Sequence, residues 1–301
     1  MRILCISPNQ KHDFLVASVV EGLKQIEEVE LYCTDTGNGC SNIITDQQFT
    51  ELLPSADYVF VLHGKRPGKY RLLEQIEDWS RVVFIDGSEW SINYYPPFNR
   101  SNFLKEEFLS RGCHYFKREC YPEYLDRGVK PLPFAAMPND FANRTVDKDI
   151  DVLCGFGNIP GLPDVNQTSW RSIAIQACNE LKAEGFNIVT HKVPNYLDHV
   201  SRSWITIDAW GGGEINSRTF QIPANRSFGL CKGYEVIIPN FTPGQHYDEW
   251  NSPEELKEKI RNYLADKEKL SYLIDQAYEN TIQYHTAKAR VEYILTEINT
   301  L

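Results

Sequence analysis

Apolar residues in the first 120 positions alternate between strand-like runs and helix-like spacing. Helices are predicted where apolar positions recur every three to four residues, and strands where short apolar runs end at turn residues. The strands are predicted at 2–7, 29–33, 58–62, 82–85 and 114–116, and the helices at 14–26, 69–79 and 103–109, with a weak one ending at 49–53. Strands that are apolar on both faces and alternate with helices predict a mostly parallel, doubly wound sheet.

The same α/β pattern restarts after an irregular stretch, 117–148, with prolines at 122, 131, 133 and 138. Strands are predicted at 152–154, 186–190, 204–207 and 236–238, and helices at 170–184, 196–200, 253–265, 267–280 and from 286 onward. Proline fixes the backbone and interrupts regular structure, which is typical of a linker. The pattern therefore predicts an N-terminal domain over 1–130, a linker over 131–148, and a C-terminal domain over 149–301 with terminal helices that brace the interface.

Residues 203–240 form the stretch most indicative of function. A buried strand is followed by Gly211, Gly212 and Gly213, then by Glu214 at the start of a predicted helix that carries Arg218 and Gln221. Bare backbone between a strand and a helix N-terminus is where α/β proteins bind anionic ligands. A carboxylate there can accept from sugar hydroxyls, and an arginine one turn later can meet phosphate. The pattern predicts a donor-nucleotide site, although an ordinary turn with solvated charges has the same sequence signature.

A second turn of this kind follows the strand at 152–154. Gly155, Gly157 and Asn158 form it, and the prolines at 160 and 163 prevent an immediate helix, so it is not the dinucleotide-binding fingerprint. Arg171 lies in the first turn of the next predicted helix, where a cation opposes the helix dipole. A ligand or carboxylate would explain its presence there.

Polar residues also follow two strands of the N-terminal half. His63 comes directly after the strand at 58–62, and Asp86 directly after the strand at 82–85. Either side chain can serve as a general base toward a hydroxyl acceptor. Taken singly, each has a simpler interpretation as part of a plain turn.

Eight cysteines occur without any Cys-x-x-Cys pair, and several lie in apolar strands. Buried free thiols and the lack of a signal-like N-terminus or a long apolar segment predict a soluble, cytoplasmic protein. Asp149-Ile150-Asp151 matches Asp-x-Asp but leads directly into a strand, and we interpret it as the solvated start of that strand and not as a metal site. The net charge of −10 gives no electrostatic reason to bind nucleic acid.

The ordered set of motifs in the C-terminal half resembles the GT-B glycosyltransferases, in the group that includes the CgeB-like proteins. The segments that carry the resemblance are 149–157 followed by Arg171, 203–207, 218–221, 252–256, and His285-Thr286 with Arg290. A weaker similarity covers 116–119. The resemblance implies two Rossmann-like domains that face each other across a cleft, with the acceptor bound by the N-terminal domain and the nucleotide-sugar by the C-terminal one.

The resemblance also implies roles for individual residues. Glu214 matches the position near the donor sugar, and Arg218 the basic residue near the diphosphate. Gln221 falls where the family has a glutamate that holds the ribose hydroxyls, a departure that bears on nucleotide affinity. His285, Thr286 and Arg290 are expected to be structural.

The function predicted from these observations is metal-independent transfer of a sugar from a nucleoside diphosphate sugar, UDP- or GDP-linked, to a hydroxyl acceptor. The acceptor is expected to be a glycan, a glycolipid or other lipid-linked molecule, a glycoprotein or a small molecule. Retention of configuration is expected from the wider GT-B group, and no cofactor or metal is expected. Glu214, Asp86 and His63 are the predicted catalytic residues. The predicted donor-binding residues are Gly155, Gly157, Asn158, Arg171, Gly213, Glu214, Arg218 and Gln221.

Three alternatives stay open at this point. A non-catalytic protein that binds sugar nucleotides or glycans would share the fold, and the uncharged Gln221 favours it. A dinucleotide enzyme lacks the expected Gly-x-Gly-x-x-Gly turn. A transferase acting on DNA bases is disfavoured by the acidic charge balance.

Overall fold

The computed structural model describes residues 1–7, 13–35, 39–63, 70–88, 104–141, 146–156, 170–211 and 213–299. These residues divide into two compact units. The first unit comprises Met1–Ala135, Val236–Ile238 and Thr286–Leu301, and the second comprises Ala136–Glu235 and Pro239–His285. Among the described residues, no helix combines the length and apolar character needed to cross a membrane.

The first unit is built on a six-stranded sheet in which every neighbouring pair is parallel. Its strands are β1 (Arg2–Ile6), β2 (Glu30–Cys33), β3 (Tyr58–His63), β4 (Val82–Asp86), β5 (His114–Lys117) and β6 (Val129–Pro131), in the order β2-β1-β3-β4-β5-β6. Its helices are α1 (Phe14–Lys24), α2 (Asp46–Leu52), α3 (Glu106–Leu109), α4 (Pro122–Leu125) and α10 (Ala287–Asn299), of which α10 packs on α1. The predicted doubly wound parallel sheet is confirmed.

The second unit repeats this plan with five parallel strands. They are β7 (Ile150–Leu153), β8 (Ile188–Val189), β9 (Ser203–Asp208), β10 (Phe228–Lys232) and β11 (Asp248–Trp250), in the order β8-β7-β9-β10-β11. Its helices are α5 (Trp170–Ala183), α6 (Tyr196–Arg202), α7 (Arg218–Ala224), α8 (Pro253–Ala265) and α9 (Lys267–Tyr284). The core lies between the sheet and α5, α8 and α9, and Trp250 is fully buried within it.

The direction in which successive strands are added reverses between β7 and β9. Open α/β sheets bind ligands just beyond the carboxyl ends of the strands that flank such a reversal. In the second unit this point lies next to Phe156, which follows β7, and Asp208, which ends β9.

Several predicted elements were wrong. A strand was predicted at 236–238, but the strand that follows β9 lies earlier in the chain, as β10 (Phe228–Lys232). Residues 236–238 form no strand, and the Ile237 amide donates to the Cys120 carbonyl within the first unit. β-Branched residues favour strands because their side chains pack well on the pleated surface of a sheet. Residues 236–238 are not part of a sheet, so this packing is absent.

Two predicted helices differ in type or length from the observed ones. The helix predicted at 69–79 is a pair of 3₁₀ helices, Tyr70–Gln75 and Trp79–Arg81, and the helix at 103–109 shortens to α3. Glu214 lies four residues before α7 and not at its start. By contrast, the predicted start of α8 is confirmed, because the Ser252 hydroxyl accepts from the Glu255 amide and Pro253 occupies the first turn.

Candidate functional site

Asp208 is the centre of a polar network at the carboxyl end of β9. Its side chain is only 1% exposed. It accepts hydrogen bonds from Asn216 Nδ2 at 3.1 Å, Thr219 Oγ1 at 3.0 Å and Tyr234 OH at 3.3 Å, and Arg218 Nη2 lies 3.3 Å from its Oδ1. Because this carboxylate at the end of β9 gathers donors from residues that follow the glycine turn, it fixes the start of α7 relative to the end of β9.

Arg218 is held by its neighbours at several atoms. Its backbone amide and its Nε both donate to Asn216 Oδ1, at 2.8 and 3.2 Å, and its guanidinium carbon lies 5.2 Å from the centre of the Phe156 ring. An arginine fixed at both its backbone and its guanidinium loses little freedom when it meets an anion.

Arg171, in the first turn of α5, approaches the same aromatic ring. Its guanidinium carbon lies 5.7 Å from the centre of the Phe156 ring. Its Nη2 also packs on the glycine turn, because a Cβ added to Gly211 would lie 2.7 Å from it. Burial, together with the nearby charge of Arg218, lowers the pKa of Arg171 to about 10. A second cation held beside a first is electrostatically unfavourable until an anion binds.

Gly155 and Gly211 lie just beyond the carboxyl ends of β7 and β9. A Cβ on Gly155 would lie 2.9 Å from Leu153 Cδ1, so this position accepts only glycine without a shift of that side chain. Glu214 is buried at 2% exposure, and its Oε2 accepts from the Glu235 amide at 2.7 Å. The predicted site residues Gly157 and Asn158 and the middle glycine, Gly212, lie outside the described residues.

Gln221 lies one turn after Arg218 on α7. Its Nε2 donates to Asp140 Oδ1 at 2.8 Å. Asn225, one turn further along, donates from Nδ2 to the backbone carbonyl of Asp140. Asp140 belongs to a 3₁₀ helix, Pro138–Asp140, and was not predicted from the sequence, because no spacing rule connects it with α7.

A lysine between tryptophans is a second feature that sequence reasoning missed. Lys232, at the carboxyl end of β10, places its Nζ 4.5 Å from the Trp170 ring centre and 4.9 Å from that of Trp210, and donates to Asn251 Oδ1 at 2.7 Å. Burial lowers the pKa of Lys232. Trp210, immediately before the glycine turn, was the only available sequence signal, and no spacing rule connects it with Lys232.

In the first unit, Asp86 is enclosed by donors. It is fully buried, and it accepts from Lys117 Nζ at 3.0 Å, from the Ser88 amide at 2.9 Å and from the Tyr115 hydroxyl. Burial alone would raise the pKa of Asp86, but Lys117 and the hydrogen bonds from Ser88 and Tyr115 bring it below its ordinary value. These contacts favour a role in holding Lys117 and Ser88.

His63 lies beside Asp86, because the register of β3 and β4 pairs the two residues. It is 6% exposed, and its ring centre lies 5.8 Å from that of Phe84. Burial lowers the pKa of His63 despite the neighbouring carboxylate. The imidazole is therefore neutral at pH 7 and able to take up a proton.

The structure thus collects the predicted residues into two groups. Arg171 and Arg218 share the Phe156 ring in the second unit, and Gln221 lies one turn beyond Arg218. His63 and Asp86 are neighbours in the first unit. Asp149 pairs with Arg202, and Asp151 with Lys267, as expected for the solvated start of β7. Among the described residues, no three histidine, cysteine or acidic side chains are grouped so as to hold a metal ion.

Two doubly wound parallel-sheet units, each with its polar residues beyond the strand ends, define the GT-B class of fold. Solved structures with this fold span essentially the whole chain. A glycosyltransferase from Rickettsia africae superposes with a TM-score of 0.65 at 10% identity, covering 99% of this chain and 98% of its own. Anabaena Alr3699/HepE, in complex with UDP-glucose, superposes with a TM-score of 0.60 at 9% identity, with both chains covered completely.

The sucrose-phosphate synthase of Thermosynechococcus elongatus gives a TM-score of 0.57 at 12% identity, covering 100% of this chain and 98% of its own. At these identities the likeness establishes the fold. No curated protein sequence matches the chain significantly. The family model described as "Glycosyl transferase-like" matches residues 177–296. The resemblance found in the sequence is confirmed: the chain has the GT-B fold, and its residues 177–296 are similar to the glycosyl transferase-like family.

Proposed function

We propose that this chain transfers a sugar from a nucleoside diphosphate sugar to a hydroxyl acceptor, and that the second unit binds the donor. The observation that carries the proposal is the convergence of Arg171 and Arg218 on Phe156 at the point of strand reversal. Two guanidinium groups beside bare glycine backbone match the charge and shape of a diphosphate. A UDP-linked donor is proposed first, because Anabaena Alr3699/HepE binds UDP-glucose on the same fold.

The chemistry that these residues would perform is charge stabilisation. When the bond between the anomeric carbon and the diphosphate breaks, negative charge grows on the departing oxygen. Positive groups already fixed in place stabilise that charge without reorganising during the reaction. Arg218 is fixed by Asn216 and Asp208, so it would act in this way without a metal ion.

The acceptor side of the reaction is assigned to the first unit. There His63 is proposed as the base that takes the proton of the acceptor hydroxyl, since its neutral form prevails at pH 7. Asp86 would support it indirectly, by ordering Lys117 and Ser88. Glu214, whose Oε2 accepts a hydrogen bond from the Glu235 amide, would fix the turn beside the donor sugar.

Three finer parts of the proposal come from the resemblance: independence of metal, retention of configuration, and a glycan, lipid or small-molecule acceptor. Each has a direct test once a donor is known. Activity that is unchanged by EDTA supports the first. Anomeric proton couplings of the product decide the second, and mass spectrometry of acceptor mixtures decides the third.

The deciding experiment is calorimetry of the wild-type chain with UDP, GDP, CDP and dTDP, with and without EDTA. We expect one nucleotide to bind, EDTA to leave its affinity unchanged, and Arg218→Ala to weaken it by roughly 10- to 100-fold through the lost charged hydrogen bonds. Glu258→Ala, which removes an exposed carboxylate from α8, is the matched control. Absence of binding to every nucleotide at millimolar concentration would contradict the donor site.

A non-catalytic sugar-nucleotide-binding protein is the second candidate, and one observation favours it. Asp86, one of the three predicted catalytic residues, is enclosed by Lys117, Ser88 and Tyr115. Incubation with the donor selected by calorimetry separates the two functions. Release of free nucleoside diphosphate, abolished in Arg218→Ala, supports the enzyme. Binding without any release over a day supports the second candidate.

A further inference from the structure

Gln221 is tied to Asp140 in one particular direction. A carboxylate only accepts hydrogen bonds, so the nitrogen of the Gln221 amide must face Asp140 Oδ1, 2.8 Å away. The amide oxygen therefore points to the other side. Among the residues that the structure describes, no donor bonds to this oxygen, and the Gln221 side chain is only partly buried.

Asp140, which lies in the 3₁₀ helix Pro138–Asp140, is held against α7 by several hydrogen bonds. Its Oδ2 accepts from the Met137 amide at 2.8 Å, which leaves Oδ1 for Gln221. Asn225 joins the two backbones, because its Nδ2 donates to the carbonyls of both Asp140 and Gln221. Asp140 is 9% exposed, so its carboxylate is held in one position.

We infer that Asp140 is a positioning residue that locks the Gln221 amide with its oxygen outward, so that this oxygen accepts a hydrogen bond from a ribose hydroxyl of the donor. The inference rests on the proposed function. An acidic residue at position 221 would present a carboxylate oxygen to the ribose directly. Here Gln221 makes the contact, and Asp140 sets the orientation of the Gln221 amide and polarises it.

This arrangement predicts an unusual pattern in four proteins: the wild type, Asp140→Asn, Gln221→Glu and the double variant. In Asp140→Asn, the Met137 amide donates to the side-chain oxygen of the new asparagine, and the NH₂ group of that asparagine faces Gln221. The Gln221 amide must then turn over and present its nitrogen outward. We expect affinity for UDP to fall by roughly tenfold, the usual effect of one lost hydrogen bond.

Gln221→Glu alone places two carboxylates in contact, and one of them must take up a proton. We therefore expect UDP affinity to be low at pH 8.5 and to recover as the pH is lowered toward 6. In the double variant, the NH₂ group introduced at position 140 donates to the carboxylate introduced at position 221, and a carboxylate oxygen again points outward. UDP affinity is expected to return to within about threefold of the wild type, without this pH dependence, because the hydrogen bond between the two side chains is restored with its donor and acceptor exchanged.

Calorimetry with UDP and 2′-deoxy-UDP and 3′-deoxy-UDP tests the inference, with thermal unfolding as the check on folding and Glu258→Gln as the control. Discrimination between UDP and at least one deoxy analogue should be strong in the wild type, weak in Asp140→Asn and restored in the double variant. A purely structural role would weaken all three ligands equally and would not be rescued by the second substitution.

Three results overturn the inference. If Asp140→Asn binds UDP and both analogues as the wild type does, Asp140 does not orient Gln221, while the proposed donor site stands. If the double variant binds UDP no more tightly than Asp140→Asn does, the conclusion is again that Asp140 does not orient Gln221, while the proposed donor site stands. If the wild type binds no nucleotide at all, the proposed function fails together with this inference. Side-chain amide resonances of Gln221, compared between the wild type and Asp140→Asn, report the amide orientation without any ligand.

Discussion

Removing the Asp208 carboxylate is expected to destabilise the second unit strongly. Asp208→Ala leaves the side chains of Asn216, Thr219 and Tyr234 without their shared acceptor, and it takes the counter-charge from Arg218. All of this happens at a site where Asp208 is 1% exposed, so water does not readily replace the lost oxygen atoms.

The expected loss of unfolding free energy is about 3–5 kcal/mol, the range for deleting one partner of a buried ion pair. A domain of ordinary size loses roughly 2–4 °C of melting temperature per kcal/mol, so a decrease of about 6–20 °C should follow. Thr219→Val removes one neutral donor and keeps the ion pair. It should cost only about 1 kcal/mol.

Differential scanning calorimetry of the wild type, Asp208→Ala, Thr219→Val and Glu258→Ala measures these differences. The exposed Glu258 should change the melting temperature by less than about 2 °C, as surface substitutions do. A melting temperature of Asp208→Ala within about 2 °C of the wild type would refute the reasoning. It would mean that the network on Asp208 contributes no net stability.

Three further outcomes follow from the contacts described above. Arg171→Met should weaken UDP binding by roughly tenfold or more in calorimetry yet leave the melting temperature of the free protein unchanged or higher, because burial and Arg218 disfavour the charge on Arg171. A lower melting temperature would contradict this. Gly211→Ala should displace the Arg171 guanidinium, whose Nη2 would lie 2.7 Å from the new Cβ, and so weaken UDP binding while costing less than about 1 kcal/mol of stability, because only the end of a flexible side chain must move. Wild-type affinity in this variant would show that the contact is unimportant. The lowered pKa of His63 means that the unfolded chain binds its proton more readily, so denaturant titrations should show wild-type stability falling as the pH drops below about 6.5, and less steeply in His63→Gln. If stability fell equally steeply with pH in the wild type and in His63→Gln, the expected contribution of His63 would be contradicted.

The sequence predicted the layered α/β plan because that plan depends on local periodicity. Continuous apolar runs such as 58–62 and 82–85 identify buried parallel strands, and they became β3 and β4. Phe228–Lys232 was missed because Gly229 and Lys232 interrupt its apolar pattern, while 236–238 looked more strand-like. The conformation of such short segments depends on which surface they reach in the folded chain.

The residues of the candidate site divide in the same way. Arg218 and Gln221 were predicted because they stand at fixed distances from a glycine turn. Asp140 and Lys117 were missed because their partners are 81 and 31 residues away, and only the folded chain brings them together. Whether the Asp86 side chain was accessible could not be inferred from its position in a turn.

The first unit is completed by α10, which follows the residues of the second unit in the sequence. Ala287 of α10 packs so tightly on α1 that a Cβ on Gly22 would lie 2.2 Å from the Ala287 carbonyl, and Lys130 bonds to Glu297. During synthesis, therefore, most of the first unit leaves the ribosome long before its final helix exists. The surface of α1 therefore stays uncovered until α10 has been made. Removal of α10 would consequently destabilise the unit that contains α1, and a growing chain would need protection at α1 until α10 emerges.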